Sequence, residues 1–134
     1  VGTTSETTRD IVQKKLLGDL ATDGDSALGS GMIPKACCGH PKTDAGGIDY
    51  IPIKHVFGEW SLLGFKSYQQ GRGSFEGTGQ QVIWCDEEPD ESVYGECLVR
   101  TATTQGMIYL TFTPLAGRSQ VVKSFLPKDW RPDV

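Results

Sequence analysis

The sequence lacks several features that would assign it to a well-defined class. No apolar run approaches the roughly 18 residues of a membrane-spanning helix, and no basic leader precedes an apolar core, so neither a membrane segment nor a signal peptide is predicted. A phosphate-binding loop, G-x-x-x-x-G-K-[ST], is also absent: Gly24 and Gly29 have its glycine spacing, but Ser30 and Gly31 follow. The formal net charge of -4 argues against an extended nucleic-acid-binding surface. We therefore expect a soluble chain whose DNA contacts, if any, are local.

Cysteine is scarce as well, with four residues in a chain of 134. This number does not suggest the disulfide framework of a small secreted domain. Cys85 and Cys97 fall in apolar patterns, where each is expected to pack as a small hydrophobic residue. The adjacent Cys37 and Cys38 lack the C-x-x-C spacing and the second ligand pair of a zinc site. A reduced, cytosolic chain is predicted.

The amino-terminal third contains one strong helix signal. Thr4 or Ser5 is predicted to cap a helix, because apolar residues with helical spacing follow. These residues are Ile11, Val12, Leu16, Leu17 and Leu20. Residues 18–47 are rich in Gly, Asp, Ser and Pro, which predicts a long connection.

Two strands are predicted next, at residues 48–55 and 60–68. The Phe-Gly-Glu sequence at 57–59 is typical of a hairpin turn between them. Pro52 has no amide hydrogen to donate, which favours an edge position for the first strand.

The most informative stretch is 81–89. Four apolar residues, 82–85, predict a buried parallel strand, and Asp86, Glu87 and Glu88 follow at its carboxyl end. Ligands of open α/β sheets bind at that end of the strands. An Asp-Glu pair there suits a nucleoside triphosphatase, since the first carboxylate can hold Mg²⁺ and the second can deprotonate the attacking water. The simpler alternative is a strand that ends in a solvated loop.

A helix at 90–104 and a strand at 107–113 follow the acids. This order predicts a parallel crossover, which places Thr111 and Thr113 beside the acids on one rim of the sheet. A short helix is predicted at 119–126, and residues 128–134 are interpreted as a linker or truncated end.

Five segments taken in order form one recognisable set: 64–68, 71–77, 83–89, 96–101 and 110–117. Together they resemble one protein family, the large terminase subunit of tailed bacteriophages. The resemblance covers residues 1–127 and lies in the ATPase part of that subunit. The implied fold is an α/β P-loop NTPase of the ASCE, RecA-like type, with a parallel sheet and flanking helices, incomplete here, plus a β-hairpin.

In that family the large subunit is the ATP-driven motor that moves viral DNA into a procapsid, while a separate nuclease domain cuts the DNA. The implied cofactors are ATP and Mg²⁺. The implied partners are double-stranded viral DNA, the portal protein, the small terminase subunit and further copies in a ring, in the cytoplasm of the bacterial host. The family's phosphate loop would lie before Val1 and its nuclease domain after Val134. The 134 residues are therefore expected to be inactive alone.

The resemblance also implies residue roles. Asp86 matches the Walker B aspartate that holds Mg²⁺, and Glu87 matches the catalytic glutamate. Thr111 and Thr113 belong to the coupling motif, beside the nucleotide's γ-phosphate, although threonine is also common in buried strands for its β-propensity alone. Arg72, between two glycines, is a candidate arginine finger acting on a neighbouring subunit, or else a solvated surface arginine. Arg100 is expected to form an ion pair at the surface or between subunits.

Two alternatives remain open at this stage. A DExx-box helicase or translocase would use the same Asp86-Glu87 pair and the same threonine motif, but it would need a second RecA-like lobe. A non-catalytic assembly module could keep a P-loop-like fold without the phosphate loop.

Overall fold

The computed structural model describes residues 1–131, and the chain forms two compact units, Val1–Ser74 and Phe75–Val134. The first contains a three-stranded antiparallel sheet and the second a two-stranded parallel sheet. The predicted α/β class is thus confirmed. The linker at 128–134 stays a prediction, and residues 132–134 lie outside the described residues. None of the helices in residues 1–131 is long and apolar enough to cross a membrane.

The first unit begins with a helical segment whose centre is a π turn. It consists of α1 (Ser5–Thr7), the π turn Thr8–Gln13 and α2 (Lys14–Leu17). Thr4 caps it as predicted, since its hydroxyl accepts a hydrogen bond from the Thr7 amide at 3.1 Å.

The buried face of this segment differs from the prediction. Val12 and Leu17 are buried, but Ile11 is 53% exposed. A π turn has more residues per turn than an α-helix, so residues five apart share a face and Ile11 is turned to solvent. The side-chain amide of Gln13 makes two hydrogen bonds with the backbone of Ile48. Its nitrogen donates to the Ile48 carbonyl at 2.7 Å and its oxygen accepts from the Ile48 amide at 3.2 Å, which connects the helical segment to the sheet.

The long connection is more structured than predicted. It holds α3 (Leu20–Asp23), two 3₁₀ turns (Gly24–Ala27 and Lys35–Cys37) and a short strand, β1 (Lys42–Asp44). The sequence Lys-Thr-Asp carries no apolar alternation, so local pattern did not reveal this strand.

The predicted hairpin is confirmed, with β2 (Gly47–Lys54) antiparallel to β3 (Trp60–Gly64). The edge position predicted for β2 is wrong, because β2 lies between β1 and β3. Pro52 is tolerated for a local reason. Just beyond β3, the Phe65 amide donates to the Asp49 carbonyl, so every second residue of β2 counted from Asp49 bonds toward β3. Pro52 falls between these residues, and its backbone nitrogen therefore faces the opposite side of β2, where β1 lies. On that flank the register with β1 ends at Tyr50.

The second unit is built around a strand–helix–strand crossover. β4 (Val82–Asp86) pairs in parallel with β5 (Met107–Thr111), and α4 (Glu91–Ala102) connects them, as predicted. α5 (Gln120–Ser124) follows. β5 ends two residues earlier than predicted, so Thr113 lies in the loop beyond it.

Burial in β4 is one-sided, which corrects the prediction of a strand buried on both faces. Ile83 and Cys85 are buried, whereas Val82 is 56% exposed. The buried face packs against α4, where the Cys97 thiol contacts the Cys85 thiol. Contact with Cys85 and burial both raise the pKa of Cys97, so it stays a protonated, apolar core residue, as predicted.

Helix α4 begins and packs by identifiable contacts. Asp90 is its N-cap, and the carboxylate accepts a hydrogen bond from the Val93 amide at 2.9 Å. Val93 and Cys97 face the core, whereas Leu98 is 48% exposed. Glu96 is buried instead, because an arginine one helical turn away neutralises it.

Candidate active site at the carboxyl end of the parallel strands

The strand register brings two predicted site residues together. Asp86 is the last residue of β4, and Thr111, the last of β5, is its direct partner across the ladder. The Thr111 hydroxyl lies 3.1 Å from Asp86 Oδ1 and donates to it. An acidic and a hydroxyl side chain therefore meet at the rim where open α/β sheets bind ligands.

Trp84 joins this pair. Its indole nitrogen donates a hydrogen bond to the Thr111 hydroxyl oxygen at 2.8 Å. Trp84 and Asp86 are two residues apart in β4, so they lie on the same face of the sheet. In the sequence, Trp84 stands out only as part of the apolar run of the strand. The signal that could have revealed it is this two-residue spacing from the acid.

Glu87 occupies an unusual backbone conformation. Its φ is +69°, in the left-handed region that non-glycine residues seldom adopt. Its amide donates to the Thr111 carbonyl at 3.0 Å, which extends the β4–β5 ladder by one bond beyond the strands. Such a conformation costs about 1–3 kcal/mol and is concentrated at functional sites. Glu87 is exposed at this turn, where the chain leaves the sheet.

Glu88 has a structural partner. The Ser119 hydroxyl donates to Glu88 Oε1, and the same oxygen of Ser119 accepts a hydrogen bond from the Val122 amide at 3.1 Å. Ser119 is thus both the N-cap of α5 and an anchor for the acidic loop. This contact joins the loop after β4 to the helix after β5. Nothing in the sequence indicated that Ser119 would contact Glu88.

The next acid, Asp90, is also committed to structure. Hydrogen bonds from Ser92 and from the Val93 amide lower the pKa of Asp90. Of the four acids between Asp86 and Asp90, Glu88 and Asp90 therefore hold the loop and the helix in place. Asp86 and Glu87 are the two that lie at the strand end with Thr111.

Two other predicted residues belong to other elements of the chain. Thr113 is in the loop after β5, where its carbonyl accepts a hydrogen bond from the Leu115 amide at 2.7 Å. Arg72 is an exposed residue of the first unit, at the start of the 3₁₀ turn Arg72–Phe75. Its role stays a prediction.

The ion pair predicted for Arg100 is confirmed, but its partner is a buried residue of the same helix. Arg100 Nε lies 2.9 Å from Glu96 Oε1, and the guanidinium also donates to the Gly77 carbonyl. Both partners of the guanidinium belong to the second unit. The ion pair forms there because Glu96 is buried and needs a counter-charge close by.

The strand end is chemically suited to a hard cation bound together with a phosphate. Among residues 1–131 no cluster of three or more His, Cys, Asp or Glu side chains forms an all-protein metal cage. Mg²⁺ in nucleotide sites needs none, because it keeps several waters and takes one or two carboxylates along with phosphate oxygens. Asp86, half-buried and hydrogen-bonded to Thr111, fits that role.

Comparison with known proteins identifies a family. The family model described as the terminase large subunit, T4-like virus type, N-terminal, matches residues 2–133. The chain is 36% identical over 133 residues to the large terminase subunit of Salmonella phage P22, an alignment that covers 93% of this chain and 26% of that protein. No solved structure matches. The predicted resemblance is confirmed, and a helicase origin is not supported.

Proposed function

Because the chain belongs to the family of terminase large subunits, we propose that it carries the metal-holding and water-activating carboxylates of an ATP-hydrolysing site within a longer DNA-packaging subunit. The observation that carries the proposal is the meeting of Asp86 with Thr111, with Glu87 held in a left-handed turn beside them. A carboxylate at the end of a strand with a second carboxylate next to it supports this proposal, because metal-dependent triphosphate hydrolysis uses one group to hold the metal and another to position the water.

Each residue has a separate task in this mechanism. Asp86 would hold the Mg²⁺ of Mg-ATP, which would supply positive charge beside the phosphates. Glu87 orients the attacking water and accepts its proton, a contribution of roughly 10²–10⁴ in rate. Thr111 holds Asp86 by its hydroxyl. Thr113, two residues further along, is proposed to contact the γ-phosphate region.

The proposal requires the rest of the subunit. The 134 residues contain no G-x-x-x-x-G-K-[ST] sequence. The phosphate loop is therefore proposed to come from another segment, which completes a P-loop NTPase sheet around β4 and β5. The chain spans 26% of the length of its P22 relative, so there is ample room for such a segment in a subunit of that size.

The packaging role is proposed at the level of the whole subunit. ATP hydrolysis would drive double-stranded viral DNA into a procapsid in the bacterial cytoplasm, through contacts with the portal protein and the small terminase subunit. Copies of the subunit would form a ring, and Arg72 is proposed to reach the active site of a neighbouring copy.

The test is a set of three matched acid-to-amide variants in the full-length subunit. Glu87→Gln keeps the shape of the side chain but removes the base, so ATP should bind while hydrolysis falls at least about a hundredfold. Asp86→Asn should remove the Mg²⁺ dependence of binding. Glu88→Gln is the control, because its Ser119 contact is structural, and it should retain most of the hydrolysis. Near-normal turnover in Glu87→Gln together with loss in Glu88→Gln would refute the assignment.

A further inference from the structure

Three side chains at the strand ends form a hydrogen-bonded chain with a single direction. Trp84 Nε1 lies 2.8 Å from Thr111 Oγ1, and Thr111 Oγ1 lies 3.1 Å from Asp86 Oδ1. Trp84 and Asp86 share a face of β4, and Thr111 stands opposite Asp86 in the register with β5. The two hydrogen bonds therefore lead from Trp84 on β4 to Thr111 on β5 and back to Asp86 on β4.

The direction follows from the donors and acceptors available. An indole nitrogen only donates, and a threonine hydroxyl has one hydrogen and two lone pairs. Since Thr111 Oγ1 accepts from Trp84, its own hydrogen is directed to another acceptor. The Asp86 carboxylate at 3.1 Å is closer than the Cys85 carbonyl at 3.5 Å, and its charge makes the stronger bond.

We propose that Trp84 is a positioning residue, which orients the Thr111 hydroxyl and thereby fixes the carboxylate of Asp86 in the rotamer that holds Mg²⁺. This inference rests on the proposed function, because it assigns a role at the same site. A carboxylate held at one oxygen loses little further freedom when it binds the metal, so the contact improves affinity by pre-organisation.

Packing alone does not account for this tryptophan. Trp84 is half-buried, on the face of β4 that also carries the exposed Val82. Phenylalanine would supply a similar aromatic surface there. The indole N–H is the feature that only tryptophan provides, and it is the atom that contacts Thr111.

The experiment measures the metal-dependent part of nucleotide affinity in the full-length subunit. The dissociation constant of a non-hydrolysable ATP analogue is determined with excess Mg²⁺ and again with EDTA. The constant in EDTA divided by the constant in Mg²⁺ reports the metal's contribution to affinity. Trp84→Phe should lower this ratio about fivefold, the effect of one lost hydrogen bond, and leave the EDTA value unchanged. A general folding defect would weaken both measurements.

Further variants test the route through Thr111. Thr111→Val should lower the ratio about as much as Trp84→Phe, whereas Thr111→Ser keeps the hydroxyl and should stay near wild type. The double variant Trp84→Phe with Thr111→Val should lose no more than either single variant, because both remove the same connection. Trp60→Phe, at an exposed position of the hairpin in the first unit, is the matched control and should change nothing.

The outcomes separate this inference from the proposed function. If Asp86→Asn leaves the Mg²⁺ ratio intact, the proposed function fails. If Asp86→Asn abolishes the ratio while Trp84→Phe retains it, only the positioning role is overturned. Losses that add fully in the double variant would also overturn that role, since Trp84 and Thr111 would then act independently.

Discussion

The ion pair of Glu96 with Arg100 gives a sharp test of how the second unit is stabilised. The side chain of Glu96 is 3% exposed and that of Arg100 is 23% exposed, with Oε1 and Nε 2.9 Å apart. Replacing Arg100 with methionine keeps the aliphatic stem but leaves a buried carboxylate without its counter-charge. Breaking a buried pair in this way costs about 3–5 kcal/mol.

The partial exposure of Arg100 places the expected loss at the lower end of that range, because water can reach the vacated position. Arg100 also donates to the Gly77 carbonyl, and the loss of this bond adds about 1 kcal/mol. We therefore expect about 4 kcal/mol for Arg100→Met. This is a large share of the 5–15 kcal/mol that stabilises a typical domain.

The assay is hydrogen–deuterium exchange at the backbone amides of α4, which reports the free energy of opening within the unit that holds the pair. Arg9→Met is the matched control, since Arg9 and Asp10 form a similar ion pair at 2.7 Å whose side chains are 37% and 51% exposed. That variant should change stability little. The double variant Glu96→Leu with Arg100→Met should recover most of the loss, because it removes both buried charges.

A loss in Arg100→Met no larger than in Arg9→Met would refute the argument, since the buried carboxylate would then have another source of compensation. A double variant as unstable as the single one would refute it too. In that case the contacts of the arginine stem, and not its charge, would hold α4 in place.

The 134-residue chain should bind Mg-ATP very weakly and show no detectable turnover, because no lysine-bearing phosphate loop is present in it; calorimetric titration with micromolar affinity would contradict this. Full-length Arg72→Ala should bind ATP but hydrolyse it poorly, and mixing it with Glu87→Gln should restore some activity if Arg72 acts on the neighbouring copy; mixed rings without rescue would reject that role. Asp90→Ala should lose about 1 kcal/mol at neutral pH through the missing N-cap. Because the folded pKa of Asp90 lies below its ordinary value of 3.8, this deficit should be complete above that pH and shrink as the pH falls through the folded pKa, which acid titrations of both proteins would reveal.

Local sequence determined the features that depend on neighbours along the chain. The hairpin, the parallel crossover and the cap at Thr4 could be predicted, because alternation, helical spacing and capping residues act over a few positions. The same applies to the acids at the end of β4.

Tertiary structure determined which side chains of each helix and strand are buried. Periodicity gave no warning that Glu96 and not Leu98 would be buried, since a charge enters a core only when a partner such as Arg100 is in reach. The π turn places Ile11 at the surface. The three polar residues of β1 form a strand because their backbone pairs with that of β2.

The contacts of the acids were likewise determined by the fold. Asp86, Glu87, Glu88 and Asp90 are near neighbours along the chain, and their spacing does not reveal their partners. In the folded chain Ser119 holds Glu88, and the first turn of α4 holds Asp90. Asp86 accepts a hydrogen bond from Thr111, which in turn accepts one from Trp84, a contact between residues 27 positions apart that no local pattern encodes. Residue type determined the chemical groups available at the strand end, and long-range packing determined which of the acids are held by structural contacts.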